Sequence, residues 1–200
     1  GKKTECADGK AAQFECGDYD LVSFLSIQDM GGQRGVRLSG NWGWTDPETG
    51  KEYALIGRMD GTSVVDVTNG EKPVYVANIP KTKEAQASSW RELKTYKNWA
   101  LIVSDGSGPH GIQFVDLTRL RSVRNAPVTL EPDYTYRNLA SVHNIVVNEE
   151  AGFAAAVGSN GGGETCGGGL HMLDIKDPKN PVFLGCFAVG HREHSDEVGE

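Results

Sequence analysis

The 200-residue sequence contains no run of 18 apolar residues, so no segment is built to cross a bilayer as a helix. It also has no stripe of Lys and Arg. With 20 basic against 27 acidic residues the net charge is -7, which leaves nothing to neutralise nucleic-acid phosphates. The short basic run RLRSVR (119–124) reads as a solvated loop. No Asn-x-Ser/Thr sequon occurs, so N-glycosylation is not expected. The absence of any CxxC pair argues against a structural zinc site. HExxH and GxSxG are absent too, and no lone cysteine stands beside a histidine, so the familiar hydrolase signatures are missing. The glycine-rich SNGGGETCGGG (159–169) is followed by a strand-like run and lacks the lysine of a phosphate cradle; it reads as a flexible loop pinned by Cys166. Helical periodicity is nearly missing. RELKTYKNW (91–99) is the one weak candidate, and its repeat partner reads as a strand.

Four cysteines are present, and four allow three pairings. The sequence-local choice is Cys6–Cys16 with Cys166–Cys186, each bracketing a loop-rich segment where a staple restricts the unfolded chain. Such pairs imply an oxidising compartment. No signal peptide is visible, and the opening GKKTECADG is compatible with a processed terminus.

The sequence repeats itself. GTSVVDV (61–67), GIQFVDL (111–117) and GLHMLDI (169–175) share a glycine, two variable residues, two apolar residues, an aspartate and an aliphatic residue. Before each stands an apolar run that reads as a buried strand: EYALIGR (52–58), NWALIVS (98–104) and GFAAAVG (152–158). SWRELKTY (89–96) and SVHNIVVN (141–148) precede these, with NWGWT (41–45) as a poorer match. KPVYVANI (72–79), APVTLEPD (126–133) and NPVFLGCF (180–187) follow, and their Pro-Val opening suits an outer strand. Each unit is thus four strands, A to D, with a period of about 50 residues. That is the pattern of an all-β fold, a β-propeller of four-stranded blades.

This divides the chain into a disulfide-stapled segment (1–19), blades within 20–190, and a tail or start of a further blade (191–200). The full units span about 39–80, 88–133 and 140–188. DLVSFLSI (20–27) reads as an orphan outer strand. The residues after 188 are too few to supply its three missing partners, so the expected ring is incomplete in this chain. The remainder of a longer polypeptide or a second chain then covers the open side. Asp66, Asp116 and Asp174, which recur at the end of strand C, read as turn formers and not as metal ligands.

WGWTDPETGKEYALIGRMDGTSVVDVT, SSWRELKTYKNWALIVSD, HGIQFVDLTRLR, SVHNIVVNEEAGFAAAVG and CGGGLHMLDIKDPKNPVFLGCF resemble, in order and spacing, the choice-of-anchor B family of LVIVD-repeat propellers. The resemblance covers roughly residues 16 to 190. It implies a propeller fold and a secreted or cell-surface location, and it implies no particular activity. The final GHREHSDEVGE departs from the family pattern.

Candidate ligand-binding residues follow from the repeat. His143 starts an innermost strand, with Arg91 and, less closely, Trp42 as its mates. Together with Asn144 and Glu92 they would line a channel mouth able to take a small polar ligand; the plainer alternative is a histidine plugging a narrow channel. In SDGSGPHG (104–111), Asp105 and His110 stand at the two ends of a loop and have the residue types of acid–base or metal chemistry. His191, His194 and Asp196 are metal-ligand types at close spacing, and calcium or zinc is the cofactor such a set would take; a solvated end is the alternative. His171 sits in a variable column with Ser63 and Gln113 and reads as structural. The sequence therefore favours a secreted binding or assembly module with a protein or surface-glycan partner, or self-assembly. The competing reading is a metal-dependent hydrolase using Asp105, His110, His143 and the 191–196 cluster.

Overall fold

The computed structural model describes residues 3–188, and the structure is all-β. A short hairpin, β1 (Lys10–Ala11) and β2 (Phe14–Glu15), opens the chain, and the Cys6–Cys16 disulfide staples it. A first antiparallel meander follows: β3 (Leu38–Thr45), β4 (Glu52–Arg58), β5 (Gly61–Asp66) and β6 (Val74–Pro80). The second begins with β7 (Arg91–Tyr96), β8 (Trp99–Ser104) and β9 (Ile112–Asp116). A 3-10 turn (Leu117–Ser122), β10 (Val128–Thr129) and β11 (Tyr134–Tyr136) come next. After β12 (Leu139–Ser141), the third meander contains β13 (Asn144–Asn148) and β14 (Phe153–Val157). It continues past β15 (Asn160–Gly163) to β16 (Leu170–Asp174) and β17 (Val182–Phe187). None of these sheets closes on itself.

The first strands face one another in sequence order: β3 against β7, and β7 against β13. The middle sheet is therefore covered on both sides. In β8, Ala100 and Ile102 join a core with Leu55, Val64 and Leu93, while Leu101 and Val103 join a second with Phe114, Ile145 and Leu173. Burial of both faces is why NWALIVS is apolar without alternation. Among the described residues the outer face of the third sheet has no such cover. Val146, Leu184 and Phe187 are each more than half exposed. Their register counterparts on the first sheet lie against the second: Ile79, which matches Phe187, is fully buried.

The recurring aspartates make the expected turns. Asp66, Asp116 and Asp174 each accept the backbone N–H two residues ahead, from Thr68, Thr118 and Lys176, at 2.9–3.1 Å.

Two expected strands are placed differently. APVTLEPD does not complete the second sheet: its β10 adds to the first sheet, parallel to β6, and β11 takes the outer position beside β9. Eight residues separate Asp66 from Val74 and Asp174 from Val182, but twelve separate Asp116 from Val128. The 3-10 turn takes up that excess and carries the Pro-Val segment across to its neighbour. The second unit consequently ends at Tyr136 and not at 133. The expected outer strand at 20–27 contributes only one bridge, Leu21 to Thr4. With no ladder partner among the described residues it packs by side chains, Phe24 against Phe14 at 4.9 Å and Ser23 Oγ donating to Gly70 O at 2.7 Å.

Candidate functional site

The five candidate ligand-binding residues, Arg91, Asp105, His110, His143 and Asn144, divide into a buried set and a solvent-facing one. Arg91, at the start of β7, is 4% exposed and donates from Nη1 to His110 Nε2 at 2.9 Å. His110 is fully buried, and its Nδ1 donates to Gly111 O at 3.0 Å, which fixes the neutral tautomer with Nε2 as acceptor. Burial and the neighbouring Arg91 charge bring its pKa down to about 3. Burial, reinforced by Arg58 and opposed by Asp60, brings Arg91 down to about 10. Arg91 and His110 thus act as an inter-strand strut. Asp105 and His110, the two ends of the SDGSGPHG loop, do not pair, because His110 turns inward to Arg91.

Asp105 meets His143 instead. His143 Nδ1 donates to Asp105 Oδ2 at 2.8 Å, with the imidazole 57% and the carboxylate 23% exposed. Asn160 Nδ2 and the Gly106 N–H donate to Asp105 Oδ1 at 3.0 and 2.7 Å. Partial burial favours the protonated acid, but the donors from Asn160, His143 and Gly106 outweigh it and hold the carboxyl below its ordinary value. The imidazole's Nε2 is left open. Three segments meet here: the β8–β9 loop, the start of β13, and β15. Gly158 permits the meeting, because its φ is +63° and a Cβ there would lie 2.8 Å from the His143 Cβ.

Asn144 is exposed one residue further on. Glu92 pairs with Lys94, whose ammonium lies 4.0 Å over the Trp42 ring. Trp42 is in register with Lys94 rather than with Arg91 or His143, because Trp42 pairs with Leu55 and Lys94 with Leu101, which are equivalent. The cluster of His191, His194 and Asp196 lies outside the described residues.

The sequence did not single out Asn160 or Trp90. Asn160 follows β14 at the loop position that Gly106 holds after β8, next to the equivalent of Asp105, so the repeat register was its only signal. Trp90 precedes Arg91 as Val142 precedes His143; Val142 is fully buried and Trp90 is 64% exposed. Its backbone is pinned: Trp90 O accepts from Asp105 N at 3.0 Å and from Ser104 Oγ at 3.1 Å.

The variable column of strand C also has a physical role. Ser63 Oγ donates to Met30 O at 2.6 Å, Gln113 Nε2 to Pro80 O at 2.9 Å, and His171 Nδ1 to Glu164 O at 2.8 Å, with the Tyr136 hydroxyl 2.9 Å from His171 Nε2. In each unit this buried residue ties its sheet to the preceding segment, so polarity is required and the identity is free. Among the described residues, the one group of three metal-type side chains within 4.8 Å is Glu164, Cys166 and Cys186. The Cys166–Cys186 disulfide removes both sulfurs as donors. No helix of the structure is long and apolar enough to cross a membrane.

Compared with protein-family models and with curated proteins, the chain matches none.

Proposed function

We propose that this chain is part of a secreted or cell-surface β-propeller, of the choice-of-anchor B type it resembles, that serves as a binding and assembly module. Its contact point is the cluster of Asp105, His143 and Asn160. The observation that carries this reading is the division of the polar residues. His110 and His171 are consumed as buried struts and Arg91 is buried with Nη1 on His110, whereas Asp105, His143 and Asn160 are ordered by one another and still face solvent. A pre-ordered, exposed polar set lowers the entropy cost of binding.

The propeller reading draws support from three meanders in sequence order whose first strands face each other. The outer face of the third, uncovered among the described residues, supports a further sheet packing there, from the rest of a longer polypeptide or from another chain. Two disulfides fit an extracellular protein.

The test is nitrogen-15 NMR of the chain titrated with extracellular material from its source, followed by mass spectrometry of the recovered ligand. A binding module shows shifts at residues 105, 143 and 160 and returns the ligand unchanged. A ligand returned cleaved would overturn the reading in favour of a hydrolase.

A further inference from the structure

Three of the four tryptophans are capped. Trp44 stacks on Tyr53 at 5.4 Å, Trp42 lies under Lys94 at 4.0 Å, and Trp99 under Lys179 at 5.7 Å. Trp90 has neither a stacked ring nor a cation over it among the described residues, and it is 64% exposed. It is also not loose. Its backbone N–H donates to Ser88 Oγ at 3.2 Å, its carbonyl accepts from Asp105 N and Ser104 Oγ, and its ring atom Cε3 lies 4.0 Å from where a Cβ on Gly106 would stand. An exposed indole whose backbone is hydrogen-bonded to that of Asp105 is an apolar platform beside a hydrogen-bonding cluster.

We infer that this platform and cluster form a subsite for a neutral pyranose unit of a glycan. The inference rests on the binding-module reading and names its ligand. A pyranose has one face of C–H groups and a rim of hydroxyls. The C–H face matches the indole, which gains by shedding water from both surfaces. The hydroxyls need polar partners at the rim, and the remaining Asp105 lone pairs, Asn160 Oδ1 and His143 Nε2 supply them there. A carboxylate in the site and a net charge of -7 disfavour acidic sugars. The site is open and shallow, so one contact is weak, and affinity for a polymer comes from repeated engagement.

The test titrates the chain with cellohexaose, chitohexaose, mannohexaose and hexagalacturonate, following tryptophan fluorescence. A saturable change is expected with at least one neutral hexasaccharide, weakened at least about tenfold by Trp90→Ala and less by Trp90→Phe, with hexagalacturonate at least about tenfold weaker. Asn160→Ala should also weaken it while leaving the far-ultraviolet spectrum unchanged. No saturable change with any neutral probe up to about 10 mM would overturn the inference, as would unaltered binding by Trp90→Ala or tighter binding of the acidic probe. If the neutral sugars fail but another ligand shifts His143 in the NMR titration, the glycan inference falls alone. If nothing shifts His143, the binding-module reading falls with it.

Discussion

Asp105 Oδ2 lies 2.8 Å from His143 Nδ1, so the carboxylate fixes an imidazole that is 57% exposed. That geometry depends on Gly158, where any side chain meets both a left-handed backbone and the His143 Cβ. Gly158→Ala is therefore expected to displace His143 and raise the Asp105 pKa towards its ordinary value, with a stability loss of about 1–2 kcal/mol. Carbon-13 NMR of the Asp105 carboxyl through an acid titration checks it. An unchanged titration would show that the contact survives the added methyl.

His110 predicts a pH dependence. Its folded pKa of about 3 is below the unfolded value of about 6.5, so between these limits the unfolded chain binds the extra proton. The stability contribution of the neutral imidazole is fully present above about pH 6.5 and is lost progressively as pH falls towards about 3, by an amount on the order of 4 kcal/mol. Asp105 adds a smaller loss at lower pH, since a depressed carboxyl contributes above its unfolded pKa and loses that contribution as pH falls. Urea denaturation from pH 7 to pH 4 should show this slope. His110→Gln should flatten it while lowering stability at pH 7.

His171 should behave as a strut. Its replacement by Ala leaves the Tyr136 hydroxyl and the Glu164 carbonyl without their partner in a fully buried site, which costs about 3 kcal/mol. His171→Gln, which can keep one bond, should cost about half as much. Neither substitution should change ligand binding, and isothermal titration of the two variants measures this.

Arg121 holds Asp46 through a two-point contact, Nε to Oδ2 at 2.9 Å and Nη2 to Oδ1 at 2.6 Å, and the carboxylate is fully buried. The pair joins the β3–β4 turn to the 3-10 turn of the next unit. Arg121→Ala should cost about 2 kcal/mol at pH 7, because the buried carboxylate loses its cation and keeps only the Glu48 N–H and the Thr49 hydroxyl. The deficit should shrink as pH falls below about 4, where Asp46 takes up a proton in the variant. Thermal melts at pH 7 and pH 3 compare the two conditions.

The two disulfides should differ in weight. Cys166–Cys186 closes a separation of 20 residues and Cys6–Cys16 one of 10, so on loop entropy alone the former contributes about 0.6 kcal/mol more. Paired Cys→Ser variants in guanidinium denaturation measure the difference, and non-reducing mass spectrometry should find no free thiol.

The repeat made much of the fold legible. Strands A to C of each unit carry their own signals: apolar runs buried on both faces, and the turn-forming Asp66, Asp116 and Asp174. The local cysteine pairing was readable for the same reason, that each pair closes a short segment. The outer strands were harder. Pro127-Val128 repeats the motif of Pro73-Val74, but the motif states only a preference for an outer edge, and four extra residues decide which sheet receives it. DLVSFLSI has strand composition, yet a strand forms only where a partner offers its ladder. At the site, the sequence named Asp105, His110, Arg91 and His143 but not which of them pair, because pairing depends on which side of the loop each side chain leaves. Asn160 and Trp90 carried only register signals, a polar loop residue and an aromatic in place of a buried valine.

The most direct measurement of this division of labour is the rate of diethyl pyrocarbonate modification of each histidine, read by peptide mass spectrometry at pH 7. The reagent needs a bare, accessible ring nitrogen. Among the described histidines, His143 should react at least about tenfold faster than His110 and His171, which should become reactive only on unfolding, and bound ligand should protect His143. Modification of His110 or His171 at the rate of His143, or an unreactive His143 in the free protein, would contradict the assignment of struts and contact residues on which the proposed function stands.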